Sequence, residues 1–499
     1  MSGHLKRLLR VLAAYQLPDI VSKFMAIGLL PVYTHYLSTA DYGEVELLAT
    51  SVIFVSIVVR FGMIEAFLRY YYTDEDQVRR DALVRRAVRF LLLTTTLVAG
   101  AAALAADPLS RLVLGQRPHA TQLFLIAVLG MWSFTNLELA YALLRVDERI
   151  RTYATASLIN VGITIGASVV LVVGFGLRAR GLLLGNYGAS TLVVLGLWWS
   201  YRHRLTGKRG GAERLPVLMR FGLPTVPAEA SVYAVNIVDR YYIEHAYKTP
   251  AQGLSAVGVY SIAVKLAGVV VFTVRAFQYA WPPLAYSVTD DAEASRLYGF
   301  VTTYYVLFSG WIVAGLALEG RWVVRLLTSR AGYYPAYKPL PWVALGWAMY
   351  GLFVVFVVIA GRAKVTTRNF PAAIAGLATN VVLLVILLPR LGLAGAGVAL
   401  CGAYVVMLGA MHFFTRRLFS VAFEWRRLAQ IVLVVGGIAA LGDLLLPTHG
   451  PAGFLLRAVA WLAIPGAMLL TRFPHPEEIA RLRALARRGA KPAGTAVSP

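Results

Sequence analysis

The chain has 499 residues, 58% of them hydrophobic and 15% charged, with a formal net charge of +23. A soluble protein carries about 25% charged residues, so a sizeable soluble domain is excluded and an all-α integral membrane protein is expected. The lone cysteine, Cys401, excludes an internal disulfide and a thiolate metal site.

Apolar stretches of about 20 residues read as membrane spans. They recur about 14 times, near residues 12–35, 42–67, 88–106, 119–144, 153–174, 180–200, 218–244, 256–281, 297–318, 339–360, 371–389, 392–414, 428–446 and 452–471. The first follows a basic start (Lys6, Arg7, Arg10) with no small-residue cleavage site, and reads as a retained span. Lys and Arg favour the loops on the N-terminal side by about three to one, which puts both ends in the cytoplasm. The same distribution in short loops explains the net charge better than nucleic-acid binding does. Tyr70, Tyr71, Tyr72, Trp198, Trp199, Tyr333 and Tyr334 lie at span ends and read as interfacial belts. The basic tail beyond Arg472 reads as a short surface helix followed by disorder.

The chain repeats itself. Leu17-Pro18 matches Leu223-Pro224, Gly43 matches Gly258, Leu129-Gly130 matches Leu345-Gly346, and Gly176-Leu177 matches Gly392-Leu393. After one loop insertion the offset is nearly constant. The expected architecture is two pseudo-symmetric six-helix lobes, residues 1–205 and 218–420, joined by a cytoplasmic linker at 206–217. A helix pair (421–472) and a basic tail (473–499) follow. Six spans per lobe give both lobes the same orientation, with substrate held between them. Prolines in spans 1 and 7 (Pro18, Pro31, Pro224, Pro227) read as kinks, either static or flexing during alternating access.

Ionisable residues at membrane depth mark a pathway by default. Arg60 and Arg275 occupy equivalent places after Gly43 and Gly258, so a symmetric guanidinium pair holding a diphosphate is expected; snorkelling to the interface is the bland alternative. Lys23 pairs either with Asp19, one turn away, or with its repeat counterpart Glu229 as a gate. Asp239 joins Arg240 or Lys265 in an outer network, as an anchor or a gate. Glu138 reads as a proton site or as a structural carboxylate near Arg145. Asp443 and Arg457 are expected to pair in the last hairpin. No P-loop, HExxH or GxSxG motif is present, so no catalytic residue, metal or cofactor is assigned.

Two blocks carry a resemblance. YTHYLSTADYGEVELLATSVIF with RFGMIEAFLRYY (Tyr33–Tyr71), and RFGLPTVPAEASVYAVNIVDRYYIEHAY with VGVYSIAVKLAG (Arg220–Gly268), resemble bacterial oligosaccharide and polysaccharide flippases of the O-antigen flippase type. Such proteins belong to the multidrug/oligosaccharidyl-lipid/polysaccharide exporter superfamily. The resemblance implies a 14-helix, two-lobe fold with a cationic cavity in the bacterial inner membrane. It implies translocation of an undecaprenyl-diphosphate-linked oligosaccharide, driven by H+ or Na+, with membrane lipid and a polysaccharide polymerase or glycosyltransferases as further partners. By the same analogy, spans 13 and 14 form a groove for the lipid tail. A cation-coupled multidrug exporter and a non-transporting scaffold are the alternatives; the excess of buried Lys and Arg favours an anionic cargo.

Overall fold

The computed structural model describes residue 18, residues 20–73, 76–117, 119–206 and 214–475, and residue 478. Asp19, the N-terminal basic residues and the tail beyond Glu478 lie outside the described residues. Among the described residues all regular structure is helical.

The helices follow the apolar runs. Residues 20–28 and α1 (Leu30–Tyr36) form the visible part of span 1. A capping box starts α2 (Thr39–Val59): the Ser38 hydroxyl accepts from the Asp41 amide at 3.1 Å, and the Asp41 carboxylate accepts from the Ser38 amide at 2.9 Å. Phe61 and Gly62 then take left-handed φ of 49° and 67°, breaking span 2 before α3 (Met63–Thr73). The N-terminal bundle continues with α4 (Gln77–Leu104), α5 (Ala106–Leu114), α6 (Ala120–Val146), α7 (Ile150–Val169) and α8 (Arg178–Ser200).

Span 7 is three short helices, α9 (Leu215–Gly222), α10 (Thr225–Val235) and α11 (Val238–His245). Pro224 explains the first break. No proline lies at the second; neighbours satisfy it instead. The Asn380 amide donates to the Val235 carbonyl at 2.9 Å, and the Tyr404 hydroxyl donates to the Asn236 side chain at 2.9 Å. The second bundle is completed by α12 (Pro250–Ser287), α13 (Asp291–Leu327), α14 (Leu340–Arg362), α15 (Asn369–Leu391) and α16 (Leu393–Thr415). The pair α17 (Trp425–Leu445) and α18 (Gly450–Leu470) packs on α13. Arg457 is buried at its turn, bonded to Asp443 at 3.0 Å and to the carbonyls of Pro447 and Leu446.

Twelve helices among the described residues are long and apolar enough to cross a membrane. They coincide with the expected spans 2–6 and 8–14. Span 1 is only partly described, and span 7 is too fragmented to qualify.

The cores are not distributed evenly. One continuous core joins both bundles, running from Leu30 and Leu48 near the Gly43 end through Tyr187, Val257, Leu340 and Tyr404 to Val59 and Val274, next to Arg60 and Arg275. At the opposite end two smaller cores follow, and the first of them takes Leu218 of α9 across the seam. Met63, Phe67, Leu143 and Trp198 fill the first; Trp281, Tyr298 and Phe419 fill the second. Tyr333, expected in an interfacial belt, is fully buried and seals the Gly43 end by donating to the Ser38 carbonyl at 2.8 Å.

Candidate functional site

The seam between the bundles is built on α2, which faces α12 and the fragments of span 7. At one end the repeat-related glycines meet. A Cβ added to Gly43 would lie 1.9 Å from the Leu254 carbonyl oxygen, and one added to Gly258 would lie 2.0 Å from that of Thr39. The Thr39 and Ser255 hydroxyls share a hydrogen bond of 2.6 Å beside this crossing. Small residues let the two backbones touch.

One turn further in, Lys265 on α12 pairs with Glu46 on α2 at 2.6 Å and stands 4.9 Å from the Tyr42 ring. The expected Asp239–Lys265 pairing is therefore corrected: a nearer carboxylate on the other bundle takes the lysine. Asp239 instead accepts from the Tyr260 hydroxyl and from the Arg240 amide at 2.8 Å, while Arg240 donates to the Asn236 carbonyl at 3.0 Å. Asp239 and Arg240 thus form an anchor inside the second bundle, around the break in span 7. Glu46 was missed because it sits inside a motif read for family and not for charge. Lys265→Ala strands a largely buried carboxylate and is expected to cost about 1–2 kcal/mol, reduced from the fully buried case because Lys265 is partly exposed. Thermal unfolding of the purified protein checks this, with a Glu46→Gln, Lys265→Met double variant recovering most of the loss.

The other end of the seam carries Arg60, which caps α2 at the break and is 6% exposed. Its guanidinium donates to Glu138 on α6 at 2.8 Å and to Glu229 on α10, with Glu65 on α3 at 3.5 Å. Its Nε is buried and has no hydrogen-bond partner. Beside it Gly62 and Gly222 cross: a Cβ on Gly62 would lie 2.0 Å from the Gly222 carbonyl oxygen. Arg69 then stands 4.9 Å from the Phe221 ring, and Tyr70 packs edge-on to it.

This arrangement corrects three expectations. Glu138 is satisfied by Arg60, not by Arg145, because α6 and α2 pack side by side. Glu229 is taken up by Arg60 on the facing bundle, whereas Lys23 stands 5.4 Å from the Phe272 ring on α12. Arg60 is not a free guanidinium paired with Arg275: both of its terminal nitrogens hold carboxylates, which a diphosphate must displace to reach the fork.

Arg275 is half-buried on α12, which runs straight through it to Ser287. The two arginines share a repeat position but not a local structure, since only α2 breaks there. Phe24 stacks on Phe272 at 5.3 Å. Lys23 and Arg275 therefore approach the same stretch of α12, about one helical turn apart.

The seam is thus closed at both ends by different means. The Gly43 end has a shared apolar core; the Gly62 end has one glycine crossing, an aromatic contact, Leu218 buried among residues of the first bundle, and one ionic cluster.

A family model described as "Polysaccharide biosynthesis protein" matches residues 33–331. No curated protein matches the chain by sequence. Among solved structures, the lipid II flippase MurJ in an inward closed conformation is similar with a TM-score of 0.72 at 14% identity, covering 92% of this chain and 98% of that one. An inward-facing multidrug resistance MATE family transporter of the MOP superfamily gives 0.63 at 13%, covering 84% and 95%. A MOP superfamily transporter from Pyrococcus furiosus gives 0.54 at 12%, covering 91% and 96%. At these identities the likeness establishes the fold, and the matched structures are flippases and transporters.

Proposed function

The chain belongs to the polysaccharide biosynthesis protein family, and from that premise we propose that it is a flippase for undecaprenyl-diphosphate-linked oligosaccharide. It acts in the bacterial inner membrane, with both termini cytoplasmic, and moves its cargo from the cytoplasmic to the periplasmic leaflet. The observation that carries this reading is that the two ends of the seam are closed by different means: apolar packing around the Gly43–Gly258 crossing at one, and a cluster of Arg60 with Glu138 and Glu229 beside the Gly62–Gly222 crossing at the other. Alternating access requires one end to open while the other holds. With the Gly62 end cytoplasmic, Arg60 and Glu229 form the inner gate.

The cargo itself can work that gate. A diphosphate offers the same paired oxygens as the carboxylates on Arg60 and competes for its fork, while the unpartnered Nε supplies a further donor. Lys23 and Arg275, on the stretch of seam around Phe272, extend the cationic path. As Arg60 turns to phosphate, Glu138 and Glu229 lose their partner; H+ or Na+ taken up there offsets the charge and ties flipping to an ion gradient. A multidrug exporter of organic cations requires carboxylates free to meet its cargo. Glu46, Glu138 and Glu229 each hold a basic side chain, which favours the anionic cargo.

The decisive experiment is depletion of the protein followed by chemical identification of the lipid that accumulates. A lipid-linked glycan retained on the inner leaflet, cleared by the wild-type gene, is the expected result. A normal inner-leaflet pool, with polysaccharide export nonetheless lost, would instead make the protein a scaffold for the polymerase or glycosyltransferases.

A further inference from the structure

At the Gly62 end of the N-terminal bundle lies an open bowl of about 630 Å³ that the gate does not use. That volume is in the range of ligand sites, roughly 300–1,000 Å³. Its floor is rigid. Arg204 donates to Asp81 at 2.6 Å and to Asp147 at 2.5 Å, and the Tyr71 hydroxyl donates to Asp147 at 2.5 Å. The Arg204 carbonyl in turn accepts from Arg85 at 3.0 Å. This network ties together α3, α4, the α6–α7 loop and the turn after α8. The rim is different: Tyr72 is 65% exposed, and Glu148 is exposed and held at a left-handed φ of 53°. Strain of that kind at a non-glycine residue persists where surrounding structure enforces it, often at binding sites.

The lining selects a ligand class. Arg80, Arg149 and Arg204 are balanced by Asp81, Asp147 and Glu148. A phosphate site requires surplus positive charge and a cation site surplus negative charge; this bowl has neither. It combines exposed tyrosine surface with planar donors and acceptors of both signs, His203 and Gln77 among them. Sugars ask for that combination, since their C–H faces stack on aromatic rings and their hydroxyls both donate and accept.

The bowl also adjoins the gate. Arg69 and Tyr70 of α3 press on Phe221 across the seam, and the next two residues, Tyr71 and Tyr72, line the bowl. The 11 residues of α3 span about 16 Å between Arg60 and the bowl. We propose that the bowl is a carbohydrate-binding site that takes the outer sugars of the lipid-linked glycan on the cytoplasmic side. Bound sugar bears on the strip of α3 that closes the seam, so the gate senses the glycan as well as the diphosphate. This rests on the flippase reading above.

The test separates the two. The probe is water-soluble glycan released by mild acid from the host's own lipid-linked pool, free of lipid and diphosphate. Binding to the full-length protein in nanodiscs is followed by saturation-transfer NMR and calorimetry, and flipping is measured on the same preparations. The wild type is expected to bind. Tyr72→Ala and Glu148→Gly are expected to weaken binding at least tenfold, whereas Arg60→Ala, which leaves the lining intact, is expected to keep binding while shifting its affinity through the gate. Neither Tyr72 nor Glu148 holds the floor, and glycine suits the φ of position 148, so both variants keep the fold. No binding by the wild type, or equal binding by Tyr72→Ala, overturns the proposal. Flipping without glycan binding would sink this site alone; glycan binding without flipping would sink the flippase reading alone.

Discussion

Replacing Arg60 with alanine is expected to abolish transport while leaving the protein in the membrane. The substitution removes the only guanidinium that the described residues show among Glu65, Glu138 and Glu229, and leaves three carboxylates facing one another at the seam. Breaking a fully buried pair costs about 3–5 kcal/mol. The Glu138 and Glu229 side chains are 36% and 40% exposed, so solvent screens part of that. A loss of about 2 kcal/mol remains, which shifts the closed-to-open ratio of this end by roughly 30-fold. Closure can be read from a short cross-link between Tyr70→Cys and Phe221→Cys. It is expected to form readily in the wild-type background and poorly with Arg60→Ala. Arg60→Lys keeps the charge but not the fork, and is expected to close the gate partly while transporting poorly. Adding Glu138→Gln and Glu229→Gln to Arg60→Ala removes the repulsion and should restore the cross-link. Transport by that triple variant at the wild-type rate would show that Arg60 serves closure only and does not hold cargo.

Gly258→Val is expected to be as damaging at the opposite end, for a steric reason. The new Cβ would sit 2.0 Å from the Thr39 carbonyl oxygen, and Gly43→Val would put one 1.9 Å from that of Leu254. Both obstacles are backbone, so no side chain can rotate away. The helices α2 and α12 must separate by more than 1 Å, which also breaks the Thr39–Ser255 hydrogen bond. A cysteine at Ser51, two turns deeper on α2 and normally hydrogen-bonded to Tyr241, should then label with a membrane-impermeant thiol reagent applied to the Gly43 side. Transport should fall at least tenfold. Gly28→Ala and Gly409→Ala, where an added methyl meets nothing within 4 Å, are the controls and should transport normally. Wild-type labelling and transport by Gly258→Val would mean that this crossing is not part of the moving seal.

Much of this was legible in the chain. Hydropathy located the spans because each must hide its own backbone from lipid, and that demand is written locally in runs of about 20 residues. The repeat picked out Gly43 and Gly258, and the structure puts these two positions in contact with each other's helices. Depth along a span was enough to single out Arg60, Glu138, Glu229, Asp239 and Lys265 as residues needing a reason. It was enough to pair Asp443 with Arg457, which lie across a short hairpin.

Depth was not enough to assign partners across the fold. Many side chains share a level in the membrane, and only helix packing decides which of them face one another. Arg60 meets Glu138 and Glu229, 78 and 169 residues away in sequence, and Lys265 chooses Glu46 over Asp239. The first break in span 7 was signalled by Pro224, whereas the break in span 2 and the second one in span 7 carry no proline. At the second break of span 7 the freed Val235 carbonyl is met by Asn380, 145 residues away, a partner that no local pattern announces. The sequence therefore determined where the long apolar helices run and which charges lie within them. Tertiary packing alone decided where the two bundles touch and which charges pair across the seam, because burial and pairing depend on what comes to lie opposite.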